Sequence, residues 1–427
     1  VFPTFPFTAF RPLFNTLAWI GYLKIIIKEV SPRKRLLHYI YRGVVTFFVL
    51  LYNLQHLINA ILNRQNTDRL VDTLFIFLTT LSTLMKQIAF NFNGNRITEI
   101  VRVINGHYFA SNSPYQVKLI KANALMTHQL LKLYFGAVFT CGTFWTIFPF
   151  VNRANGKDVH FSAYFPIETI AYLSILIVLQ AFGNVTMDCT IITFYTQAKL
   201  QLEILRDNLE HLLEPEDQSL ACVQSTRNKL FKQDTSVLYK DISDPAFGQV
   251  IQKRLVNHVE HYKKIVWLIN EVEDIFSVAL FFQLLVTAWV ICMTAYKIID
   301  LSLMSVEFVS MLIYLCCMMV QFFFYCYFGS LLKVESELVN GSIYSSEWLS
   351  VSPRFRRQLV IMMVRGSRSL NPRIAGIVPI SLETFIAVGK YTYVSRVSMV
   401  DSLHGVDMKK LRACSEPSSA KYFQWFI

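Results

Sequence analysis

The sequence predicts an all-α membrane protein with seven transmembrane helices. Hydrophobic residues make up 53% of the 427 residues and charged residues only 16%, whereas soluble domains carry about 25% charged residues. The chain also contains seven apolar segments that are long enough to cross a bilayer, which takes about 20 residues in a helix. This composition excludes a coiled coil, a collagen-like protein and a disordered chain, and it disfavours a soluble enzyme.

The predicted spans follow one another along the whole chain. Six of them are apolar runs of helical length. The seventh is more polar, because Pro379, Glu383, Lys390 and Arg396 interrupt it, and such a helix should face protein or water instead of lipid. The seven spans cover residues 40–62, 70–92, 127–151, 167–196, 275–298, 303–332 and 377–400.

The distribution of positive charge predicts the orientation. Lys and Arg gather before the first span and in the second, fourth and sixth loops, and they are few in the other loops. Since cytoplasmic loops carry the excess of Lys and Arg, the N-terminus is predicted to be cytoplasmic and the C-terminus extracellular. A G-protein-coupled receptor has the opposite topology. The same loops account for the net charge of +12, so no nucleic-acid partner is predicted.

The sequence contains no motif of an enzyme or a metalloprotein. HExxH, the P-loop and GxSxG are absent. His258 and His261 flank Glu260, but a pair of histidines without a third ligand is a weak metal site, and we interpret them as residues of a helix surface. The eight cysteines lie mostly in apolar runs and do not imply a disulfide framework. We therefore predict no catalytic activity, no cofactor and no metal.

From residue 315 onward the chain resembles the insect odorant receptor family. Weaker family-like stretches, such as HFSAYFPIE and HVEHYKKIVWLINEVEDIFS, extend the resemblance over most of the chain. The matching positions are Gln321, Tyr325, Cys326, Gly329, Ser336, Tyr344, Trp348, Arg357, Gly376, Pro379, Ser381, Leu382, Thr384, Phe385, Lys390 and Tyr391.

The resemblance implies one subunit of a tetrameric, odorant-gated, non-selective cation channel. In this family a ligand-tuned subunit assembles with a shared co-receptor, and the last helix of each subunit lines the pore. The chain resembles the tuned subunits, so we expect a small volatile ligand, a hetero-tetramer with the co-receptor, and the plasma membrane of an olfactory neuron dendrite. A homomeric channel of the gustatory-receptor type is the alternative, and a G-protein-coupled receptor is less favoured.

This interpretation divides the chain into five parts. Residues 1–39 form a cytoplasmic N-terminal segment, and residues 40–332 form a six-helix ligand-binding region in the membrane. Residues 333–376 contain a cytoplasmic assembly helix, and residues 377–400 form the pore-lining helix. Residues 401–427 are an atypical tail, because family members usually end soon after their Tyr-x-Tyr motif.

The ligand is expected among the outer halves of the second, third, fourth and sixth spans, which face the side from which volatile molecules arrive. A site for a small apolar molecule needs apolar and aromatic walls with one or two polar groups. Helix packing or lipid contact is the alternative interpretation of the same aromatic stripes. The candidate residues are Phe75, Leu78, Thr79, Val138, Cys141, Trp145, Phe148, Tyr172, Ile175, Leu179, Phe308, Met311, Leu312 and Tyr314.

The resemblance also assigns residues to the pore and to subunit assembly. The assembly candidates are Tyr344, Trp348 and Arg357. Residues 352–370 alternate basic and apolar side chains and are predicted to form the assembly helix, with a helix on the inner leaflet as the alternative. Arg396 departs from the family, which has aliphatic residues at this place. The pore candidates are Lys390, Tyr393, Arg396, Val397 and Val400.

Several ionisable residues lie within the predicted spans. Lys86 and Lys132 are near inner ends, so we expect their side chains to reach the headgroups. Asp188 lies deeper, where an unpaired charge costs several kcal/mol, so it should be paired in a structural polar lock. Glu383 and Lys390 share one helix face, where they either join subunits or line the vestibule.

Overall fold

A computed structural model describes residues 6–24, 31–110, 113–154, 170–213, 245–300, 306–346 and 348–390. These residues are almost entirely α-helical, and the strands among them are two short segments of two residues each, which pair as one hairpin. The predicted all-α fold class is confirmed.

The helices are numbered here in chain order. Strands β1 (Arg373–Ile374) and β2 (Val378–Pro379) pair antiparallel before the last helix. The helices are α1 (Arg11–Ile20), α2 (Pro32–Leu62), α3 (Thr67–Phe92), α4 (Gly94–Ile104), α5 (Pro114–Ala154), α6 (Ile170–Glu210), α7 (Pro245–Asp300), α8 (Val306–Ser345), α9 (Pro353–Gly366) and α10 (382–390).

Each helix that carries one of the first six predicted spans is longer than that span. Helices α5 and α6 contain 41 residues each, and α7 contains 56. At 1.5 Å per residue α7 is roughly 84 Å long, nearly three times the thickness of a hydrocarbon core of about 30 Å. In the described part of the chain, α2, α3, α7 and α8 are long and apolar enough to cross a membrane. The long helices therefore continue outside the membrane as a second part of the bundle.

Helix α6 is the axial helix of this bundle. It packs against α1, α2, α3, α5, α7 and α8, and every residue from 185 to 198 is buried. Buried polar side chains need internal partners. Thr186, Thr190 and Thr193 find them locally, because each hydroxyl donates a hydrogen bond to the backbone carbonyl four residues earlier. This local pairing allows a threonine-rich helix to lie in the core.

The short helix α1 packs on the axial helix near the N-terminus. The ring centroids of Phe10 and Phe194 are 4.9 Å apart. After α1 the chain turns at Gly21, and the buried Tyr22 ring then lies directly on Gly183 of α6. A Cβ atom at Gly183 would lie 2.2 Å from this ring. The missing side chain of Gly183 therefore creates the space that Tyr22 occupies.

The seventh predicted span does not begin as a helix. The prediction of a helix from residue 377 is wrong, because Val378–Pro379 is strand β2 and helix α10 starts at residue 382. Pro379 has no backbone N–H to donate, and Ser381 caps the helix by accepting a hydrogen bond from the Thr384 N–H at 3.3 Å. Residues 391–400 and the tail lie outside the described residues.

The structure describes parts of the two longest predicted cytoplasmic segments, the fourth loop and the stretch between α8 and α10. Helices α6 and α7 extend into the fourth loop from both sides, as predicted, and its middle, residues 214–244, lies outside the described residues. The helix predicted within 352–370 is confirmed as α9, and Ser352 caps it. Residues 333–376 hold the end of α8, helix α9 and strand β1, and strand β2 follows them.

Helix α8 and the hairpin come close together at Gly329. A Cβ atom there would lie 2.2 Å from the carbonyl oxygen of Ile380, whereas Gly341 of the same helix has open space in this direction. We expect Gly329→Ala to lower the free energy of unfolding by about 1–3 kcal/mol, because backbone has to move. Gly341→Ala is the matched control and should be neutral or stabilise by up to about 1 kcal/mol. Thermal unfolding of the purified protein in detergent measures both, and equal midpoints would contradict the close approach.

Candidate functional site

An ion pair lies at the centre of the bundle. Lys86 of α3 is 0% exposed and Asp188 of α6 is 1% exposed, and the ammonium group contacts the carboxylate directly. Lys86 also donates to the side-chain oxygen of Asn184 at 2.7 Å. The prediction that Lys86 reaches the headgroups is wrong, because its face of α3 is turned towards α6. Lys132, by contrast, is exposed.

Three more side chains complete the hydrogen bonds of Asp188. Gln321 and Tyr325 of α8 donate to its carboxylate at 2.5 Å and 2.7 Å, and Tyr134 of α5 approaches it at 3.4 Å. The predicted polar lock at Asp188 is confirmed. We call these residues with Lys86 and Asn184 the polar cluster. It joins α3, α5, α6 and α8, so none of these helices can shift without disturbing the others.

A second group of side chains lies nearer the end of the bundle where α7 and α8 meet. The Phe75 ring of α3 packs against Trp289 of α7 and Tyr314 of α8, with centroid distances of 5.4 Å and 6.2 Å. The hydroxyl groups of Thr79 and Tyr314 form a hydrogen bond of 2.8 Å. We call these four residues the aromatic cluster. The apolar residues packed around it are Val71, Leu78, Phe282, Val286, Val290, Met293 and Met318.

A charged pair lies beside the aromatic cluster. Lys297 of α7 forms an ion pair with Asp72 of α3. Its ammonium group lies 5.9 Å from the centroid of the Phe75 ring, within the range of a cation–π interaction. The two residues therefore join the first turns of α3 to the last turns of α7 next to the cluster.

The structure brings together four of the predicted ligand-binding residues, namely Phe75, Leu78, Thr79 and Tyr314. Trp289 of α7, which completes the group, is missing from the prediction. The sequence contained a signal for it, because Val286, Trp289, Val290 and Met293 recur at the spacing of one helix face.

The remaining ligand-binding candidates lie elsewhere. Val138 packs in a separate cluster with Tyr134, and Leu179 packs on the main core. Cys141 lies beside Cys317 of α8, whose sulfur is 3.9 Å from the Ala137 carbonyl oxygen one turn before Cys141. On α8, Phe308 and Met311 are partly buried, whereas Leu312 is 42% exposed. The side chains of the four other candidates lie outside the described residues: Trp145, Phe148, Tyr172 and Ile175.

The pore and assembly candidates that the structure describes lie on α8, on α10 and around α9. Lys390 and Glu383 are exposed on α10, and the other four pore candidates, Tyr393, Arg396, Val397 and Val400, lie outside the described residues. Tyr344 is 72% exposed and its ring centroid lies 6.5 Å from that of Trp348. Arg357 is exposed on α9. Their roles in assembly and conduction stay predictions.

His261 has a structural role in the described part of the chain. The prediction that His261 lies on a helix surface is wrong, because this side chain is buried between α7 and α6. Its ring nitrogen is 2.9 Å from the side-chain oxygen of Gln201, and Phe109 packs on the ring edge-to-face. No group of three or more metal-ligating side chains occurs among the residues that were searched.

Long apolar helices around a buried polar cluster define a multi-pass helical membrane protein. The family model described as 7tm Odorant receptor matches residues 66–393. The chain belongs to the insect odorant receptor family. It is thus an odorant receptor of the membrane and not an enzyme.

Individual relatives agree with this assignment. The chain is 21% identical to Odorant receptor 46a, isoform A, of Drosophila melanogaster over 88% of its own length and 94% of the relative. It is also 21% identical to Odorant receptor Or1 of Anopheles gambiae, over 77% of this chain and 80% of that one. The structure of the olfactory receptor OR5 from Machilis hrabei in complex with eugenol superposes with a TM-score of 0.74 at 14% identity, covering 92% and 97% of the two chains. The last similarity shows a common fold.

The buried ion pair generates a prediction about stability. Asp188→Asn leaves the Lys86 ammonium without its counter-charge in a dry interior, and we expect it to lower the free energy of unfolding by about 3–5 kcal/mol. Lys86→Met should also destabilise the protein, and the double variant should lose less than the sum of both. Thermal unfolding of the four proteins in detergent gives the coupling.

A partly exposed ion pair on the same axial helix serves as the control. Lys199 and Glu203 are 2.5 Å apart and about one-third exposed, so Lys199→Met should cost no more than about 1 kcal/mol. Additive losses at Lys86 and Asp188, or a loss no larger than that of Lys199→Met, would contradict the assigned pairing.

Proposed function

We propose that this receptor is the ligand-tuned subunit of an odorant-gated cation channel, with a cytoplasmic N-terminus, and that it conducts only together with a co-receptor. The ligand is a small volatile molecule that binds at the aromatic cluster. The arrangement of helix α8 carries this proposal, because this helix contacts the aromatic cluster, the polar cluster and α10 in succession.

The first contact of α8 supports a role in ligand binding. Tyr314 supplies a ring and a hydroxyl group to the aromatic cluster, where Thr79 is its hydrogen-bond partner. A small ligand needs apolar walls and a few polar groups that orient it, and the cluster offers both. The relative from Machilis hrabei was solved with eugenol, which is itself a small aromatic molecule carrying oxygen.

The next contacts of α8 support transmission towards the pore. Two and three turns after Tyr314, respectively, Gln321 and Tyr325 bind Asp188 of the axial helix. On the neighbouring face, the ring centroids of Phe322 and Phe385 are 5.6 Å apart, which joins α8 to the first turns of α10. A ligand that displaces α8 therefore acts on the helix that leads into the proposed pore.

Further contacts hold α10 to α8. The Leu382 N–H donates to the Ser330 hydroxyl at 2.8 Å, and the Phe385 ring lies 5.5 Å from that of Phe323. For gating, the ligand must bind the open state more tightly than the closed one. A shift from 1% to 99% open takes about 5.5 kcal/mol of differential affinity, so a small molecule has to contact several helices at once, as it would between α3, α7 and α8.

Exposed apolar residues support assembly with other subunits. Helix α9 buries Phe355 and Leu359 but exposes Ile361 and Val364 on its opposite face. Tyr344 of α8 is exposed as well. Exposed apolar patches of this kind are typical of protein or membrane contacts, and in the proposed hetero-tetramer they face the neighbouring subunits.

Current recordings test this function. The receptor is expressed in heterologous cells with and without the co-receptor and is exposed to a panel of volatiles while G-protein signalling is blocked. We expect a cation current that needs both subunits. Current from this chain alone would favour the homomeric channel, and current that disappears under G-protein blockade would contradict an ionotropic receptor.

The hydroxyl pair of the aromatic cluster generates a prediction about ligand selectivity. Tyr314→Phe removes one hydroxyl group and keeps the ring, so ligands with a hydrogen-bond acceptor should need roughly 5- to 30-fold higher concentrations, which corresponds to about 1–2 kcal/mol. Hydrocarbons of the same shape should keep their potency. Tyr327→Phe, on the same helix but outside the cluster, is the control. Dose–response curves of ligand-evoked current measure the shift, and an equal loss for both ligand types would exclude the assigned role.

A further inference from the structure

Two thiol groups from different helices meet beside the aromatic cluster. The Cys317 thiol of α8 donates to the carbonyl oxygen of Ala137 of α5, with 3.9 Å between the sulfur and the oxygen. In an α-helix this carbonyl also accepts the backbone N–H of the residue four positions later, which is Cys141. The two cysteines therefore lie next to each other in the interface of α5 and α8.

We propose that Cys141 and Cys317 are an oxidative modification site, at which an organic hydroperoxide converts the two thiols into a disulfide that joins α5 to α8 and lowers the response to ligand. A disulfide requires Cβ atoms about 3.5–4.5 Å apart and a suitable dihedral angle. Because Cys317 already contacts the helical turn of α5 that leads to Cys141, rotation of the two side chains brings the sulfur atoms together.

The surroundings of the pair favour reaction with an apolar oxidant. Both cysteines are partly exposed, whereas Cys189 and Cys326 are buried. Partial exposure gives a reagent access to the sulfur atoms, which reaction of a cysteine requires. Since the surroundings are apolar, a hydroperoxide that dissolves in the membrane reaches them more readily than a charged reagent.

The reaction balances without any further reactant. One thiol, reacting as thiolate, attacks the terminal oxygen of the hydroperoxide, which breaks the O–O bond and gives a sulfenic acid and an alcohol. The second sulfur displaces the hydroxyl group of the sulfenic acid, so that the S–S bond forms and water leaves. Two thiols and one hydroperoxide thus yield one disulfide, one alcohol and one water, and two electrons pass from sulfur to oxygen.

The position of the pair explains why this bond would affect the receptor. Cys317 lies about one turn along α8 from Tyr314, whose hydroxyl group forms a hydrogen bond with Thr79 in the aromatic cluster. A covalent bond between α5 and α8 fixes the helix that carries Tyr314. The formation of the bond is independent of the proposed function, whereas the reduced ligand response rests on it.

The test uses the full-length receptor in membranes with its co-receptor. Membranes are treated with tert-butyl hydroperoxide, free thiols are counted by maleimide labelling, and the linked peptides are identified by mass spectrometry. We expect Cys141 and Cys317 of the wild type to lose their maleimide labels and to yield a peptide that joins them, and dithiothreitol should restore both thiols. Cys141→Ser and Cys317→Ser should give no such peptide.

The adjacent cysteine supplies a matched control. Cys316 is exposed and points away from Cys317 around the helix, so Cys316→Ser should form the same disulfide as the wild type. Ligand-evoked current should fall at least twofold after oxidation in both proteins and recover with dithiothreitol. Absence of the linked peptide in the wild type would overturn the site, and an unchanged current despite the disulfide would overturn its effect on the response.

Discussion

The fold depends on one buried carboxylate. Asp188 lies in the middle of the axial helix, away from water, and an isolated charge there would cost several kcal/mol. Lys86 supplies the counter-charge, and two α8 side chains supply hydrogen bonds. Ion pairs of this kind contribute little net stability compared with apolar packing, but breaking one is expensive. Their main effect here is to fix how α3, α6 and α8 align along their lengths.

The same alignment gives α8 its place in the receptor. In chain order, the turn at Tyr314 forms one wall of the aromatic cluster and the turn at Tyr325 binds the axial carboxylate. The turns from Gly329 onward then contact the hairpin and α10. The glycine at 329 allows the hairpin to approach the helix backbone, and Ser381 then starts α10 at a defined position. A single rigid helix thus links elements that are distant in the sequence.

Hydropathy was sufficient to predict the class of fold, because the cost of exposing backbone to lipid forces each apolar run into a helix. It could not give the helix ends, since α7 continues for many residues beyond the apolar segment, where tertiary packing and not lipid stabilises it. Lys86 was misjudged because a sequence shows how deep a lysine lies but not which neighbour it faces. Trp289 was missed for a similar reason, because the partners of a helix face depend on the arrangement of the whole bundle.

The contact between Phe10 and Phe194 has a consequence for biogenesis. The N-terminal ring needs a partner that is made 184 residues later, and the main core also includes Val388 near the end of the described chain. Loops of this length close slowly. During synthesis α1 therefore remains without its packing surface until α6 has entered the membrane, and the emerging receptor has to be shielded from aggregation until the last helices arrive.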